Sequence, residues 1–357
     1  MGRLLPLCAI WLAMPAVAEP PPAKPSIDAT REPAKPSIDA TREIVGATAR
    51  IRGLSRRRPV KMGVLTRAEI LTRIEQRLAQ DYSDAEIAID AAILKRLGLL
   101  PRDADYKQTV LTLLTDQVAG FYDPRSRRLN IAAWLPLAMQ RPALVHEICH
   151  ALQDQHFGLR RFVQPIKDNS DRQLARAALV EGDCMGVMIE HLLAPSGRDL
   201  GSVGALIDKL AQQVVSGSTS ATFRAAPRHL RETLTFPYLF GLRFIQRLRT
   251  RHGWSRVNLM FNRPPESTEQ IMHYEKYWRR ERPTVIRVGR VRQLAGQQLI
   301  KEDTLGEFQL RLHVADKAGN PAAVRAAAGW EGDRLAAYRP AGSSALPLVV
   351  HLSTWDT

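Results

Sequence analysis

The chain has 357 residues, of which 24% are charged and 45% hydrophobic, with a formal net charge of +15. That length can bury one large core or two lobes, and no apolar run beyond the first residues is long enough to span a bilayer. The arginines are dispersed and belong to no recognisable nucleic-acid fold motif, which argues against specific nucleic-acid binding; the positive balance favours anionic cell-surface components or acidic substrates, unless it merely reflects a GC-rich genome.

In chain order, residues 1–18 have the form of a secretory signal peptide: Arg3, an apolar stretch from Leu4 to Met14, and Ala16-Val17-Ala18 as a small-residue cleavage site. The stretch is short and broken by Pro6 and Pro15, and no lipobox precedes Cys8, so a secreted or periplasmic protein is expected. Cleavage would remove one charge, that of Arg3, and leave a formal +14 of the original +15. Residues 19–62 read as a disordered linker, because PAKPSIDATRE occurs twice in tandem, at 22–32 and 33–43, and is too rich in Pro and charge to fold alone.

Folded structure is expected near Leu65. Thr66 caps a helix over Arg67 to Gln80, and Ser83 caps another over Asp84 to Leu97, which ends at Gly98. A third helix is expected from about Ala104 to Val118. The segment 119–131 then reads as a hairpin turning at Asp123-Pro124, either an edge that pairs with another chain or a simple cover for the core.

The most informative stretch follows. His146-Glu147-Ile148-Cys149-His150 reads HExxH within a helix expected to start after Pro142 and to end before Gly158. Four residues is just over one helical turn, so both imidazoles face the same way and can share one metal ion. Glu147 lies where a carboxylate can deprotonate a water at that metal. The plainer alternative is two ordinary helix histidines. A second amphipathic helix, Asp171 to Leu192, places Glu181 on its apolar stripe, where an ionised carboxylate must be paired or bound to metal. His146, His150 and Glu181 would then be the three protein ligands of a catalytic Zn2+ with an open position; otherwise Glu181 pairs with an arginine such as Arg176 or Arg160. Asp154 could orient a ligand imidazole or be solvated, and Asp183 should point elsewhere. Cys149 and Cys184 fall in one neighbourhood if the two helices meet, as a disulfide or as two buried thiols.

HEICHALQDQHF followed by RAALVEGD resembles the gluzincin class of zinc metallopeptidases, in which HExxH is completed by a downstream helical Glu. More narrowly, the chain is similar to a group of secreted bacterial proteins with an HExxHALQDQ motif, with AGFYDP, FPYLFG, PPESTEQIMH and AAGWEGDR as further signatures. The resemblance runs from about Ala119 to the C-terminus. It implies Glu147 as general base, His146, His150 and Glu181 as ligands, and a hairpin edge that pairs with extended substrate. The gap of about thirty residues from His150 to Glu181 exceeds that of thermolysin-like enzymes, and Cys184 stands where a small residue such as Ala is expected. His273 and Tyr238, both in family-like segments, are candidate donors to a developing oxyanion; each is otherwise a buried polar group satisfied by backbone.

Toward the C-terminus, a helix within 201–221 leads to a Ser/Thr/Gly loop at 216–220. A helix over Leu239 to Arg249 follows Thr235-Phe-Pro-Tyr238, a further helix begins at Ser267, and Asp333 to Arg339 pairs with Leu346 to Thr354. The expected fold class is therefore α+β, mostly helical: a zincin-like lobe (63–200) with a small edge hairpin, and a helical lobe (201–357) that ends in a β-hairpin, the site lying between them. The function expected is peptide-bond hydrolysis on a peptide or protein substrate. A zinc amidase acting on cell-wall or other amides, or an inactive metal-binding scaffold, are the alternatives; Glu147 speaks against the scaffold.

Overall fold

The computed structural model describes residues 13–15, 38–135, 137–204, 207, 209, 220–289 and 296–356. The expected helix within 201–221 and its loop at 216–220 lie largely outside the described residues. The fold is α+β and dominated by helices, with two small sheets.

The first folded element is not at Leu65. Helix α1, Ile38–Arg52, begins inside the second copy of the repeat and buries Ile44, Val45, Thr48 and Arg52. The linker expected over 19–62 is therefore helical from Ile38 to Arg52, while 19–37 lie outside the described residues. IVGATARIR, just past the repeat, supplies one apolar face, and a core to receive it exists only once the later helices are in place. After β2 (Lys61–Leu65), the helices α2 (Arg67–Asp81) and α3 (Asp84–Leu97) begin with reciprocal capping boxes, Thr66 with Glu69 and Ser83 with Glu86. Helix α4 (Tyr106–Gln117) leads into the hairpin of β3 (Val118–Asp123) and β4 (Arg128–Ala132).

The first sheet has the order β1-β3-β4-β2, where β1 is Ala13–Pro15. Strands β3 and β4 are antiparallel, and β2 runs parallel to β4. Strand β1 lies within the expected leader and pairs antiparallel with the outer edge of β3, Ala13 opposite Phe121 and Pro15 opposite Val118.

Behind this sheet run the two long helices that carry the motif, α5 (Leu137–Phe157) and α7 (Ser170–Leu193), with the single-turn α6 (Arg160–Val163) between them. Helix α5 starts earlier than expected and holds Pro142 within it. The missing proline N–H removes one hydrogen bond near the helix start, where burial of Ala143, Leu144 and Val145 offsets the loss. After α8 (Ala221–Ala225), helix α9 (Arg228–Met260) is also longer than expected: Pro237 lies inside it, and it kinks at Gly253, where φ is 70°. Helices α7 and α9 meet closely at two glycines. A Cβ on Gly182 would stand 2.2 Å from the Gly241 carbonyl carbon, so no side chain fits at the crossing.

The short helices α10 (Thr268–Met272) and α11 (Tyr274–Arg279) follow, Ser267 capping the first as expected. The expected terminal hairpin, β6 (Trp330–Arg339) with β7 (Leu348–Trp355), gains a third strand, β5 (Gln298–Asp303), in the order β5-β6-β7. Helices α12 (Gly306–Ala318) and α13 (Asn320–Ala327) connect β5 to β6. One continuous apolar core runs from Ile44 through Ile148, Met185 and Phe244 to Ala337, so the two expected lobes share their interior. Among the described residues, no helix is long and apolar enough to cross a membrane.

Candidate metal centre

Residues His146, Glu147 and His150 on α5 are fully buried, and Glu181 on α7 is 4% exposed. His146 Nε2 lies 3.2 Å from Glu181 Oε2, His150 Nε2 lies 3.5 Å from the same oxygen, and the two Nε2 atoms are 3.0 Å apart. Tetrahedral ligation with bonds of about 2.0–2.1 Å needs ligand atoms roughly 3.3 Å apart, so the three atoms already stand at the edges of such a site. Burial alone would raise the Glu181 carboxyl, but His150 and His146 beside it hold it at about 2. Neither Arg176 nor Arg160 pairs with Glu181, whose partners are the two imidazoles. Burial pushes the His146 imidazole below its usual range, outweighing the bond to Glu181, which raises it; His150 beside it lowers it further.

The protonation pattern at His150 can be derived from its neighbours. The Gln153 amide nitrogen donates to Val180 O at 3.1 Å and to Asp183 Oδ2 at 2.7 Å. Its oxygen therefore faces His150 and accepts from Nδ1–H at 2.9 Å. With the proton on Nδ1, the lone pair of Nε2 points into the cluster. Asp183 is held in turn by Arg52 of α1, Nε to Oδ1 at 2.7 Å, both side chains fully buried. Arg52 also donates to Asn258 Oδ1 at 2.7 Å. Sequence reasoning missed this chain. Gln153 stands three residues after His150 on the same helical face, which is a usable signal; Arg52, in the expected linker, had none. Asp183 points away from the ligand face, as expected, yet reaches a ligand through Gln153.

Asp154 has neither of its expected roles. Its Oδ2 accepts from Tyr122 Oη at 2.9 Å and its Oδ1 from the Leu159 N–H at 2.9 Å, closing the turn after α5. Burial, and the Asp154 charge beside it, push the Tyr122 phenol up, so it stays protonated and donating.

Glu147 is on the sheet side of the cluster. A Cβ on Gly120, in β3, would lie 3.4 Å from Glu147 Cγ and 2.8 Å from Ile131 Cδ1, so the strand passes close to the Glu147 side chain at a glycine. Tyr238 flanks the cluster from α9, its ring centroid 6.4 Å from that of His146. The close crossing at Gly182 and Gly241 brings this part of α9 against α7. His273 is not joined to the cluster of His146, His150 and Glu181: its ring pairs with Glu307 at 2.9 Å and is 44% exposed. It ends α10, which is anchored through Thr268 to Asp171 at the start of α7, and its pKa is raised chiefly by the bond to Glu307.

Cys149 and Cys184, both fully buried, form a disulfide with Cα atoms 5.5 Å apart, which staples α5 to α7 beside the cluster. His146 Nδ1 is buried and finds no hydrogen-bond partner among the described residues.

Comparison with known families places a match only at the other end of the chain. A family described as a domain of unknown function (DUF8575) matches residues 292–357, which hold β5 to β7 with α12 and α13 and none of the residues of the metal cluster. No curated protein and no solved structure matches the chain.

Proposed function

We propose that the protein is an exported zinc-dependent peptidase of the gluzincin kind, with His146, His150 and Glu181 as ligands and Glu147 as general base. The observation that carries this reading is the buried convergence of two imidazole nitrogens and one carboxylate oxygen at tetrahedral spacing, with a second carboxylate on the adjoining residue. Two nitrogens and one carboxylate form a borderline donor set suited to zinc. A purely structural site needs no base beside it. A zinc ion held there supplies Lewis acidity to a water and to the scissile carbonyl.

The remaining work falls to the chain. Glu147 takes the proton from the attacking water and returns it to the departing amine. Tyr238, flanking His146, is the stronger candidate to donate to the developing oxyanion, and His273 would have to leave Glu307 to do so. The outer edge of β3 would align an extended peptide by main-chain hydrogen bonds over Glu147. That edge accepts such a segment: Ala13–Pro15 occupies it antiparallel, and cleavage after Ala18 would clear it.

Glu147→Gln is the decisive variant. It should retain one zinc ion per chain, measured by elemental analysis, and lose roughly two to four orders of magnitude in kcat on a denatured-protein substrate. Cleavage at the wild-type rate would defeat the assignment. Turnover of peptidoglycan but not of protein by the wild type would favour the amidase reading instead.

A further inference from the structure

A second site lies apart from the metal cluster. A groove between the start of α7, the end of α9 and the segment after α11 is lined by six arginines: Arg172, Arg176, Arg256, Arg263, Arg280 and Arg282. The single carboxylate in its lining, Glu266, is shared between Arg172 at 3.7 Å and Arg282 at 3.2 Å. Among the described residues, Arg176, Arg256, Arg263 and Arg280 have no carboxylate within ion-pair distance. Four guanidiniums from separate segments thus converge with almost no countercharge.

That arrangement is costly by itself. Arg172 and Arg176 each bury an Nε that finds no hydrogen-bond partner, and burial of Arg176 beside Arg172 and Arg161 disfavours its charge. Arg280 occupies a left-handed backbone position, φ 61°, at the C-cap of α11, where glycine is the ordinary residue. A bound anion would relieve both the repulsion and the unsatisfied donors.

We propose that this groove binds a ligand bearing clustered phosphoryl groups. A phosphoryl group carries close to two charges on one centre and offers three acceptor oxygens, so it can bridge two guanidinium forks at once. A carboxylate neutralises only one, and the spacing of side chains along an acidic peptide spreads its charge further. Base stacking by a single-stranded nucleic acid is disfavoured, because Trp278 is already stacked with His252 and Tyr274 and lies under Arg256. The phosphoryl groups can belong to a soluble polyphosphorylated compound or to an anionic lipid headgroup; Trp278 and Leu259, 43% and 51% exposed in the groove lining, suit the latter.

The test is calorimetric titration of the full chain with sodium tripolyphosphate, alongside co-sedimentation with phosphatidylcholine vesicles that contain or lack phosphatidic acid, whose headgroup is a phosphomonoester. Wild type should bind tripolyphosphate, and Arg176→Gln/Arg263→Gln should bind at least tenfold more weakly at the same salt concentration. A second pair, Arg256→Gln/Arg280→Gly, should lose binding likewise while keeping the wild-type thermal midpoint, since glycine at 280 removes the left-handed cost. Co-sedimentation that needs phosphatidic acid and is lost in both variants supports the proposal with a lipid source. Tripolyphosphate binding without co-sedimentation supports it with a soluble one. Equal affinity in wild type and variants, no binding of tripolyphosphate at all, or tighter binding of polyglutamate or an oligonucleotide would overturn it.

Discussion

At the scale of single residues, the arrangement of the His146, His150 and Glu181 cluster depends on a group outside it. Gln153 has one geometry that satisfies its amide, nitrogen toward Val180 O and Asp183 and oxygen toward His150, and that geometry fixes which His150 nitrogen carries the proton. Gln153→Leu keeps the volume and removes both functions. Zinc affinity by competition titration should fall roughly ten- to a hundredfold, the usual effect of losing a group that orients a ligand imidazole. Unchanged affinity would mean that packing alone aligns the ring. Glu181 differs, because its place on an apolar helical stripe is readable from spacing, and its cost of burial is what marks it.

At the scale of elements, helix α1 is the piece that sequence reasoning assigned to a linker. Its last residue, Arg52, places a guanidinium against Asp183 behind the cluster, its own charge partly answered by Asn258 and the face of Trp254. Removing one partner of a fully buried ion pair leaves the other uncompensated, which costs about 3–5 kcal/mol. Arg52→Ala should therefore lower the thermal midpoint by several degrees or more and weaken zinc binding, since Asp183 then loses the group that holds it for Gln153. A truncation that starts after residue 55 should behave like Arg52→Ala or worse; a truncated chain as stable as wild type would show α1 to be dispensable. Helices α5 and α7 are coupled more directly, by the Cys149–Cys184 bridge and by the cluster itself, so the site spans two elements whose register is set covalently.

At the scale of the whole molecule, the C-terminal sheet is bound to the rest through buried charge. Lys301 of β5 meets Asp90 of α3 at 2.9 Å with both side chains fully buried, and Asp303 accepts from Ser170 at the start of α7. Asp333 of β6 accepts from the Leu305 and Gly306 N–H groups and from the Trp330 indole. Lys301→Met should destabilise by about 3–5 kcal/mol in denaturant unfolding, and Lys301→Met/Asp90→Leu should recover only part of that loss, because the pair with Asp90 becomes apolar while Asp303, 3.8 Å from Lys301, stays buried without its cation. A double variant as unstable as the single would show that the unpaired Asp90 charge contributes nothing to the loss.

What was legible in the sequence is what local chemistry dictates. Capping boxes mark α2 and α3, the period of apolar residues marks α5 and α7, and the four-residue spacing of His146 and His150 is a property of any helix. The terminal β6–β7 pairing was legible as two strand-like runs after Gly329-Trp330. Helix α1 was not, because its single apolar face has no meaning until α5 and α7 provide a surface to bury it. The continuation of α5 and α9 through Pro142 and Pro237 was hidden for the same reason: proline breaks a helix in isolation, and only burial of the surrounding residues offsets the lost hydrogen bond. By itself the sequence determined the two helices and the residues His146, Glu147, His150 and Glu181 that they bring forward as candidates. The tertiary structure alone decided that Cys149 reaches Cys184, that Gln153 and not Asp154 orients His150, that Tyr238 and not His273 flanks the cluster, and that arginines from distant segments share one groove. Each of those depends on contacts between residues far apart in the chain, where spacing carries no information and the packing of helix against helix carries all of it.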